Sequence, residues 1–182
     1  MYSKRGEFVK FMEEFDLQNR LFHRLHHMLV VPNTLVFGWE SDVVSVTTSG
    51  YMHEFECKVT EEDLRADSRK EKFQQIIEYS VNSERNKNKF TGRKPPNYFW
   101  YIVPSGLCIP DVLPVFAGLI YWDEIKWRMD VIRKAQRLHT DKVTAREWQF
   151  LARSLMFKYW KLRTRTKVSP AVKAIELVPE AQ

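Results

Sequence analysis

The stretch Trp39-Glu-Ser-Asp-Val-Val-Ser-Val-Thr-Thr-Ser-Gly-Tyr-Met-His-Glu-Phe-Glu-Cys-Lys58 contains two β-rich runs, separated by Thr48-Ser49-Gly50. Valines dominate the first run, and Phe55 and Cys57 mark the second. Valine and aromatic residues favour strands, and glycine can adopt the positive φ that a tight turn requires. The sequence therefore predicts a β-hairpin whose turn is centred on Ser49.

This hairpin would bring two carboxylates together beside a lysine. With the turn centred on Ser49, Asp42 faces Glu56 across the strands, with Cβ atoms about 5 Å apart. Alternation places Glu56 and Lys58 on one face. Two carboxylates at this separation repel by roughly 3 kcal/mol at an effective dielectric near 20, so a divalent metal is their simplest partner. Oxygen-only ligation suits Mg²⁺ or Mn²⁺, with Asp42, Glu56 and the backbone carbonyl of Cys57 as ligands.

The same spacing has a plainer explanation, which is an exposed strand with ordinary alternation of acidic and basic residues. In the metal-site interpretation, phosphate oxygens of a substrate could complete the metal's ligands, and Lys58 orients a nucleophilic water or offsets charge on that phosphate during the reaction. Glu40 shares the face of Asp42 by alternation and would face Lys58. It is expected to be either a fourth metal ligand or a salt-bridge partner.

The rest of the chain alternates between helical and strand patterns. Apolar residues recur every three to four positions in three segments, which predicts helices, and short β-rich runs elsewhere predict strands. Helices are expected over residues 7–30, 63–79 and 144–166, and further strands over 98–103, 117–122 and 127–131. We expect Pro32 to end the first helix, Thr60 to cap the second, and Thr144 with Glu147 to form a capping box on the third, whose apolar stripe should pack on the sheet.

This order of elements predicts an α/β fold, with a mixed central β-sheet flanked by helices, an added β-hairpin and a basic C-terminal helix. We expect one domain over residues 1–182, with a core from about 7 to 140. The C-terminal helix should cover about 144–166, and residues 168–182 should form a loosely held tail.

Positive charge is concentrated in one part of the chain. The net charge is +6 over 182 residues, but residues 126–167 carry +10 and the rest carries −4. This asymmetry favours a polyanionic partner such as DNA, although a solvated basic helix face would give the same count. The candidate DNA-binding residues are Arg85, Lys87, Lys89, Arg93 and Lys94 on a polar loop over 83–96, and Arg146, Arg153, Lys161 and Arg165 on the last helix.

Composition restricts the other function classes. Hydrophobic residues make up 44% of the chain and aromatic residues 14%, which excludes a disordered protein. No stretch of about 20 apolar residues and no signal-type region is present, so we expect a cytoplasmic protein that does not bind a membrane. Cys57 and Cys108 lack a C-x-x-C pattern, which argues against disulfides and zinc. A homodimer is left open.

The residues of the hairpin resemble the PD-(D/E)XK nuclease superfamily. Glu40-Ser-Asp42 through Glu56-Cys-Lys58-Val-Thr-Glu-Glu-Asp-Leu-Arg-Ala-Asp67 is most similar to MmcB-type DNA repair proteins and related phage nuclease-like proteins. The similarity continues through Lys70 and Lys72 to the strand ending Val103-Pro104 and to Ala117-Gly-Leu-Ile120, and covers roughly residues 38–140. One departure is Ser41, which stands where the superfamily pattern has proline.

The resemblance implies a restriction-endonuclease-like core and a phosphodiesterase that uses Mg²⁺ or Mn²⁺ to cleave DNA in repair, recombination or phage DNA processing. It assigns metal binding to Asp42 and Glu56 and stabilisation of the transition state to Lys58. The alternative is a non-catalytic nucleic-acid-binding module that keeps the fold. The complete Asp42, Glu56 and Lys58 set favours the enzyme.

Further candidates also follow from the resemblance. Resolvase-like members use a glutamate on the first helix, for which Glu13 and Glu14 are candidates. Gln75-Ile-Ile-Glu-Tyr79 is similar to the Q-h-x-x-Y pattern of RecB-like members, which makes Gln75 a candidate catalytic residue, although a plain crossover helix would show the same five residues. Lys70 and Lys72 become candidate DNA contacts.

Overall fold

The computed structural model describes residues 12–67, 70–82, 94–107 and 113–165. The predicted tail over 168–182 lies outside these residues. Within them, four helices and six strands follow one another along the chain. They are α1 (Glu14–Arg24), β1 (Leu29–Thr34), β2 (Ser41–Val46), β3 (Met52–Cys57), α2 (Glu61–Asp67), α3 (Glu71–Asn82), β4 (Tyr98–Pro104), β5 (Gly118–Asp123), β6 (Arg128–Arg133) and α4 (Ala145–Arg165).

The six strands form one mixed sheet, in the order β1-β2-β3-β4-β5-β6. β3, β4 and β5 run parallel to one another, and the other neighbouring pairs are antiparallel. A parallel connection needs a crossover, and α2 and α3 provide it between β3 and β4. The fold is therefore the predicted α/β class, a mixed sheet flanked by helices.

The two faces of the sheet have different surroundings. Leu17 and Leu21 of α1 pack with Phe55 on one face. On the other face, Ile76 of α3 packs with Tyr101. Glu56 pairs with Tyr101 across β3 and β4, and paired residues on adjacent strands share a face. The carboxylate of Glu56 therefore enters the layer between the sheet and α3.

The hairpin of β2 and β3 confirms the predicted register. Val43 pairs with Phe55, so the next pair outward places Asp42 opposite Glu56. Gly50 has a φ of +83°, the left-handed conformation that the turn requires of it.

The first helix is shorter than the apolar repeat predicts. α1 ends at Arg24, and residues 29–34 form β1. Pro32 lies inside this strand and does not end a helix. An edge strand accommodates proline, because an N–H on its outer side has no ladder partner to lose. The adjacent Val30 and Val31 favour a strand, and the helical spacing of their apolar side chains concealed that preference.

The predicted helix over 63–79 is two helices, α2 and α3. Its start is confirmed, because the N–H of Asp63 donates to Thr60 Oγ1 at 3.1 Å. Between the helices, the N–H of Lys70 donates to the carbonyl of Asp67 at 3.1 Å. This break directs Asp67 and Lys72 toward the sheet, where both are buried.

The last helix starts as predicted but packs differently. The capping box is present, with the N–H of Thr144 donating to Glu147 Oε2 at 2.7 Å. The expectation that its apolar stripe packs on the sheet holds only for Leu151 and Trp148, which pack with Val31 and Val44. Most of the other apolar residues of this 21-residue helix are exposed. No helix of the described ranges is long and apolar enough to cross a membrane.

Candidate functional site

Four oxygen atoms surround the ammonium of Lys58, just beyond the end of β3. Lys58 Nζ lies 3.2 Å from Glu56 Oε2 and 3.2 Å from the carbonyl oxygen of Cys57. It lies 3.5 Å from Glu14 Oε1 and 3.6 Å from Asp42 Oδ2. We call these four oxygens the oxygen cage. The residues that the sequence suggests as metal ligands thus converge on one cation.

Hydrogen bonds from backbone N–H groups hold the residues of the oxygen cage in place. The N–H of Cys57 donates to Asp42 Oδ2 at 2.8 Å, which fixes that carboxylate beside β3. The N–H of Lys58 donates to the carbonyl of Ile102 at 3.1 Å, so Lys58 stays aligned with β4. Asp42 and Glu56 therefore face each other as predicted, and each contributes one oxygen to the cage.

The first helix contributes Glu14 and not Glu13. Glu13 is the N-cap of α1, where its N–H donates to Asp16 Oδ2 at 3.1 Å. Glu14 lies in the first turn, and its carboxylate reaches Lys58. Of the two glutamates suggested by the resemblance, Glu14 is the one at the cage.

A second buried lysine holds the opposite side of Glu56. Lys72 Nζ donates to Glu56 Oε1 and lies 3.6 Å from Glu54 Oε1. Trp39 Nε1 and Ser41 Oγ donate to the same oxygen of Glu54 at 2.8 and 3.0 Å. Within the described residues, Glu54 Oε2 is buried and has no hydrogen-bond partner.

Burial changes the protonation of these groups. It raises the pKa of Glu54 to about 7, against the opposing charge of Lys72. Burial alone would lower the pKa of Lys58 and Lys72, but the neighbouring carboxylates outweigh it and raise the pKa of both. Both lysines therefore stay charged at neutral pH, while Glu54 exchanges a proton near pH 7.

Asp67 extends the cluster toward α2. Tyr101 Oη donates to Asp67 Oδ2 at 2.8 Å, and Lys70 forms an ion pair with Asp67. Burial would raise the pKa of Asp67, but Lys72 and Lys70 lower it on balance. The whole group is named the charge cluster and consists of Glu14, Asp42, Glu54, Glu56, Asp67, Lys58, Lys70 and Lys72. It carries an excess of two negative charges when Glu54 is ionised and one when it is protonated.

The chemistry of the oxygen cage fits a hard divalent cation. Its donors are all oxygen, and the surrounding charge is negative, which are the conditions that Mg²⁺ and Mn²⁺ prefer. As the side chains stand, no group of three or more His, Cys, Asp or Glu residues in the described ranges could hold a metal ion. The Lys58 ammonium takes the centre of the cage, so a metal ion and this ammonium cannot share that position.

Two predicted site residues lie outside the cage. Glu40 is exposed and precedes β2, so the alternation that should bring it to Lys58 does not extend to it; within the described residues the two form no ion pair. Gln75 is exposed on α3 and lines a cavity of about 700 Å³ between α3 and residues 35–39, with Phe150 of α4 at its border. This α3 cavity adjoins the charge cluster, because Lys72 and Trp39 also line it.

The predicted DNA contacts have different outcomes. Lys72 is 5% exposed and paired with Glu56, so its prediction as a phosphate contact is wrong. Lys70 is half exposed but pairs with Asp67. Lys94 lies in the segment before β4, where its Nζ donates to the carbonyl of Lys142 at 2.9 Å and lies 3.4 Å from Glu147 Oε2. Arg85, Lys87, Lys89 and Arg93 lie outside the described residues, whereas Arg146, Arg153, Lys161 and Arg165 are exposed on α4.

Sequence reasoning missed Glu54 and the groups that hold it. The alternation that aligned Glu56 with Lys58 also applies to Glu54, so this signal was present. Tyr101 lies in an apolar run, and only its register with Glu56 reveals its position. Asp67 belongs to the stretch that carries the resemblance, but its burial depends on the break between α2 and α3.

The site and fold define an α/β protein with a largely buried charge cluster at the end of a central strand. No protein family profile and no curated protein matches the chain. Among solved structures, it is similar to the SPO1766 protein of unknown function from Silicibacter pomeroyi, with a TM-score of 0.53 and 18% identity. The similarity covers 86% of this chain and 91% of that chain. At this identity it shows a shared fold.

Proposed function

We propose that the protein is a divalent-metal-dependent deoxyribonuclease, which hydrolyses phosphodiester bonds in DNA during repair, recombination or phage DNA processing. The observation that carries this proposal is the convergence of Glu14, Asp42, Glu56 and the Cys57 carbonyl on one cation position. The resemblance of the hairpin to PD-(D/E)XK nucleases supports it.

Each cage residue has a defined task in this proposal. When bound, Mg²⁺ or Mn²⁺ supplies positive charge that stabilises the phosphate in its transition state. Lys58 leaves the cage and places its ammonium against the phosphate oxygens. Lys72 keeps Glu56 Oε1 in an ion pair, so that Oε2 is the oxygen directed to the cage. Hydrolysis then transfers the hydroxyl of a water molecule to phosphorus and breaks the bond to the leaving oxygen. The leaving oxygen takes the proton that the water loses.

A second candidate function is a nucleic-acid-binding module without catalysis. One observation favours it, because both oxygens of Glu56 are already paired with lysines. Lysine pairing of this kind offsets most of the negative charge of the cluster without a metal ion. Such a module would bind DNA through its basic surface, and its affinity would not depend on Mg²⁺ or Mn²⁺.

Cleavage of labelled single-stranded, duplex and branched DNAs with Mg²⁺ or Mn²⁺ separates the two functions. Glu56→Ala and Lys58→Ala should each lower cleavage at least about 100-fold, because charge stabilisation acts mainly in the transition state. DNA binding should persist in both variants. Lys126→Ala is the matched control, since this exposed lysine pairs with Asp123 away from the cage. Wild-type protein that binds DNA but cleaves none of it, or unchanged cleavage by Lys58→Ala, would refute the nuclease proposal.

A further inference from the structure

Aromatic and basic side chains share one exposed stripe of α4. Phe150, Arg153, Phe157 and Lys161 are three to four residues apart, so they lie on one helix face. Phe157 is 62% exposed and Phe150 is 39% exposed. The guanidinium of Arg153 lies 5.8 Å from the ring centroid of Phe157. We call these four residues the α4 stripe.

The α4 stripe leads toward the charge cluster. It lines a depression of about 680 Å³ along the helix. Phe150 also lines the α3 cavity, together with Trp39 and Lys72. The depression and the cavity therefore adjoin at Phe150. Lys72 in turn contacts Glu56, so a ligand that follows the stripe reaches the cavity beside the cluster.

The charge of α4 favours a polyanion as the occupant. The helix contains six Lys or Arg residues and one acidic residue, Glu147, which pairs with Lys94. In the described ranges, Arg146, Arg153 and Lys161 have no carboxylate within ion-pair distance. Two copies of such a helix would repel each other, which disfavours a second copy of this chain as the occupant.

The exposed aromatic rings of the α4 stripe favour single-stranded over duplex DNA as its ligand. A duplex hides the faces of its bases, whereas unpaired bases stack on aromatic side chains and leave phosphates for nearby cations. A helix that binds a membrane surface separates its apolar and basic faces. In the α4 stripe, Phe157 stands between Arg153 and Lys161 on the same face, so this arrangement fits a single strand better than a lipid surface.

We propose that the α4 stripe binds single-stranded DNA, with unpaired bases stacked on Phe150 and Phe157 and phosphates held by Arg153 and Lys161. From Phe150 to Lys161 the helix spans about 16 Å, which accommodates about five nucleotides at roughly 3.4 Å each. This inference rests on the proposed nuclease function, because the bound strand leads to the cavity beside the charge cluster. The preferred substrate would then be DNA with a single-stranded segment.

Fluorescence anisotropy in EDTA tests binding apart from cleavage. The probes are an oligothymidine of about 12 nucleotides and a blunt duplex of the same length. Phe157→Ala should weaken binding of the single strand about 5- to 150-fold, the range for loss of one stacked base. Tyr159→Ala is the matched control, because Tyr159 is 56% exposed on the opposite side of α4 and should leave affinity unchanged. Arg153→Gln and Lys161→Gln should each lower the salt slope by about 0.7.

Three results would overturn the inference. The first is equal affinity of the wild-type protein for duplex and single strand, with no effect of Phe157→Ala. The second is a dimer in sedimentation that Phe157→Ala dissociates, because the stripe would then be an interface between copies. The third is binding to anionic phosphatidylserine vesicles that Phe157→Ala abolishes while DNA binding persists. Cleavage of duplex DNA that depends on Lys58 would preserve the nuclease proposal in each case, whereas single-strand binding without any cleavage would refute only that proposal.

Discussion

Lys58→Met removes the ammonium from the oxygen cage and keeps most of the apolar stem. The side chain of Lys58 is 8% exposed, so its charge is buried. At distances of 3.2–3.6 Å, each carboxylate of the cage attracts the ammonium by about 5 kcal/mol at an effective dielectric near 20. The cost of removing these charges from water offsets most of this attraction. Removing one partner of a buried ion pair typically costs about 3–5 kcal/mol, and we expect a loss of this size in the free energy of unfolding.

Divalent metal should restore part of that stability. Without the ammonium, Glu14, Asp42 and Glu56 face one another around an empty position, and a metal ion no longer has to displace a cation. We therefore expect Lys58→Met to bind Mn²⁺ more tightly than the wild-type protein does. A ligand at 100 times its dissociation constant stabilises the folded state by about 2.7 kcal/mol.

Urea unfolding at increasing Mn²⁺ concentration measures both effects. Lys126→Met is the matched control, because the side chain of Lys126 is 61% exposed, and a surface ion pair contributes about 1 kcal/mol at most. The reasoning is refuted if Lys58→Met loses no more stability than this control. It also fails if Mn²⁺ stabilises the two variants equally.

Four further substitutions test the charge cluster and the packing of the fold. In the wild-type protein, folded Glu54 keeps a proton that the unfolded chain has lost between pH 4.5 and about 7, so the free energy of unfolding should fall by at most about 1.4 kcal/mol per pH unit as pH rises through this range. Glu54→Gln should abolish this fall. Urea unfolding across this pH range measures the effect, and an unchanged pH profile would contradict it. Gly118→Ala places a Cβ against the ring of Trp100 and should lower the free energy of unfolding by about 3 kcal/mol in thermal unfolding. Gly106→Ala meets nothing within 4 Å but has a φ of +83°, a backbone conformation that disfavours alanine, so it should cost about 1 kcal/mol. Thr144→Ala removes the α4 cap and should cost about 1 kcal/mol, seen as a lower Tm.

The hairpin was predictable because its signals are local. The turn residues and the period of two in β2 and β3 fix which residues face each other, and Asp42 and Glu56 follow from that register alone. Lys58 follows from alternation along the same strand. A tight turn leaves few ways to pair two short strands, so neighbouring residues decide this part of the site.

The rest of the cluster depends on contacts between distant segments. In the sequence, Lys72 has the spacing of a surface lysine. In the structure, the break before α3 directs its side chain to Glu56, between the helix and the sheet. α1 was predicted too long because the apolar side chains of β1 continue its spacing. The apolar residues of α4 likewise indicate burial, but most of those that follow Leu151 are exposed. None of these outcomes follows from local propensity.

The two lysines on Glu56 would also restrict the kind of metal that the proposed site accepts. Lys72 occupies Oε1, so Glu56 offers only Oε2 to the cage, and the carboxylate cannot bind a metal through both oxygens while this ion pair persists. Ca²⁺ favours six to eight oxygens and often a bidentate carboxylate, whereas Mg²⁺ binds octahedrally through one or two carboxylates and several waters. In the proposed metal site, the buried pair with Lys72 would therefore favour the smaller ion. Lys58 alone would have to move for a metal to enter the cage, so the proposal gives the two lysines opposite tasks: Lys72 fixes the ligand and Lys58 vacates the site.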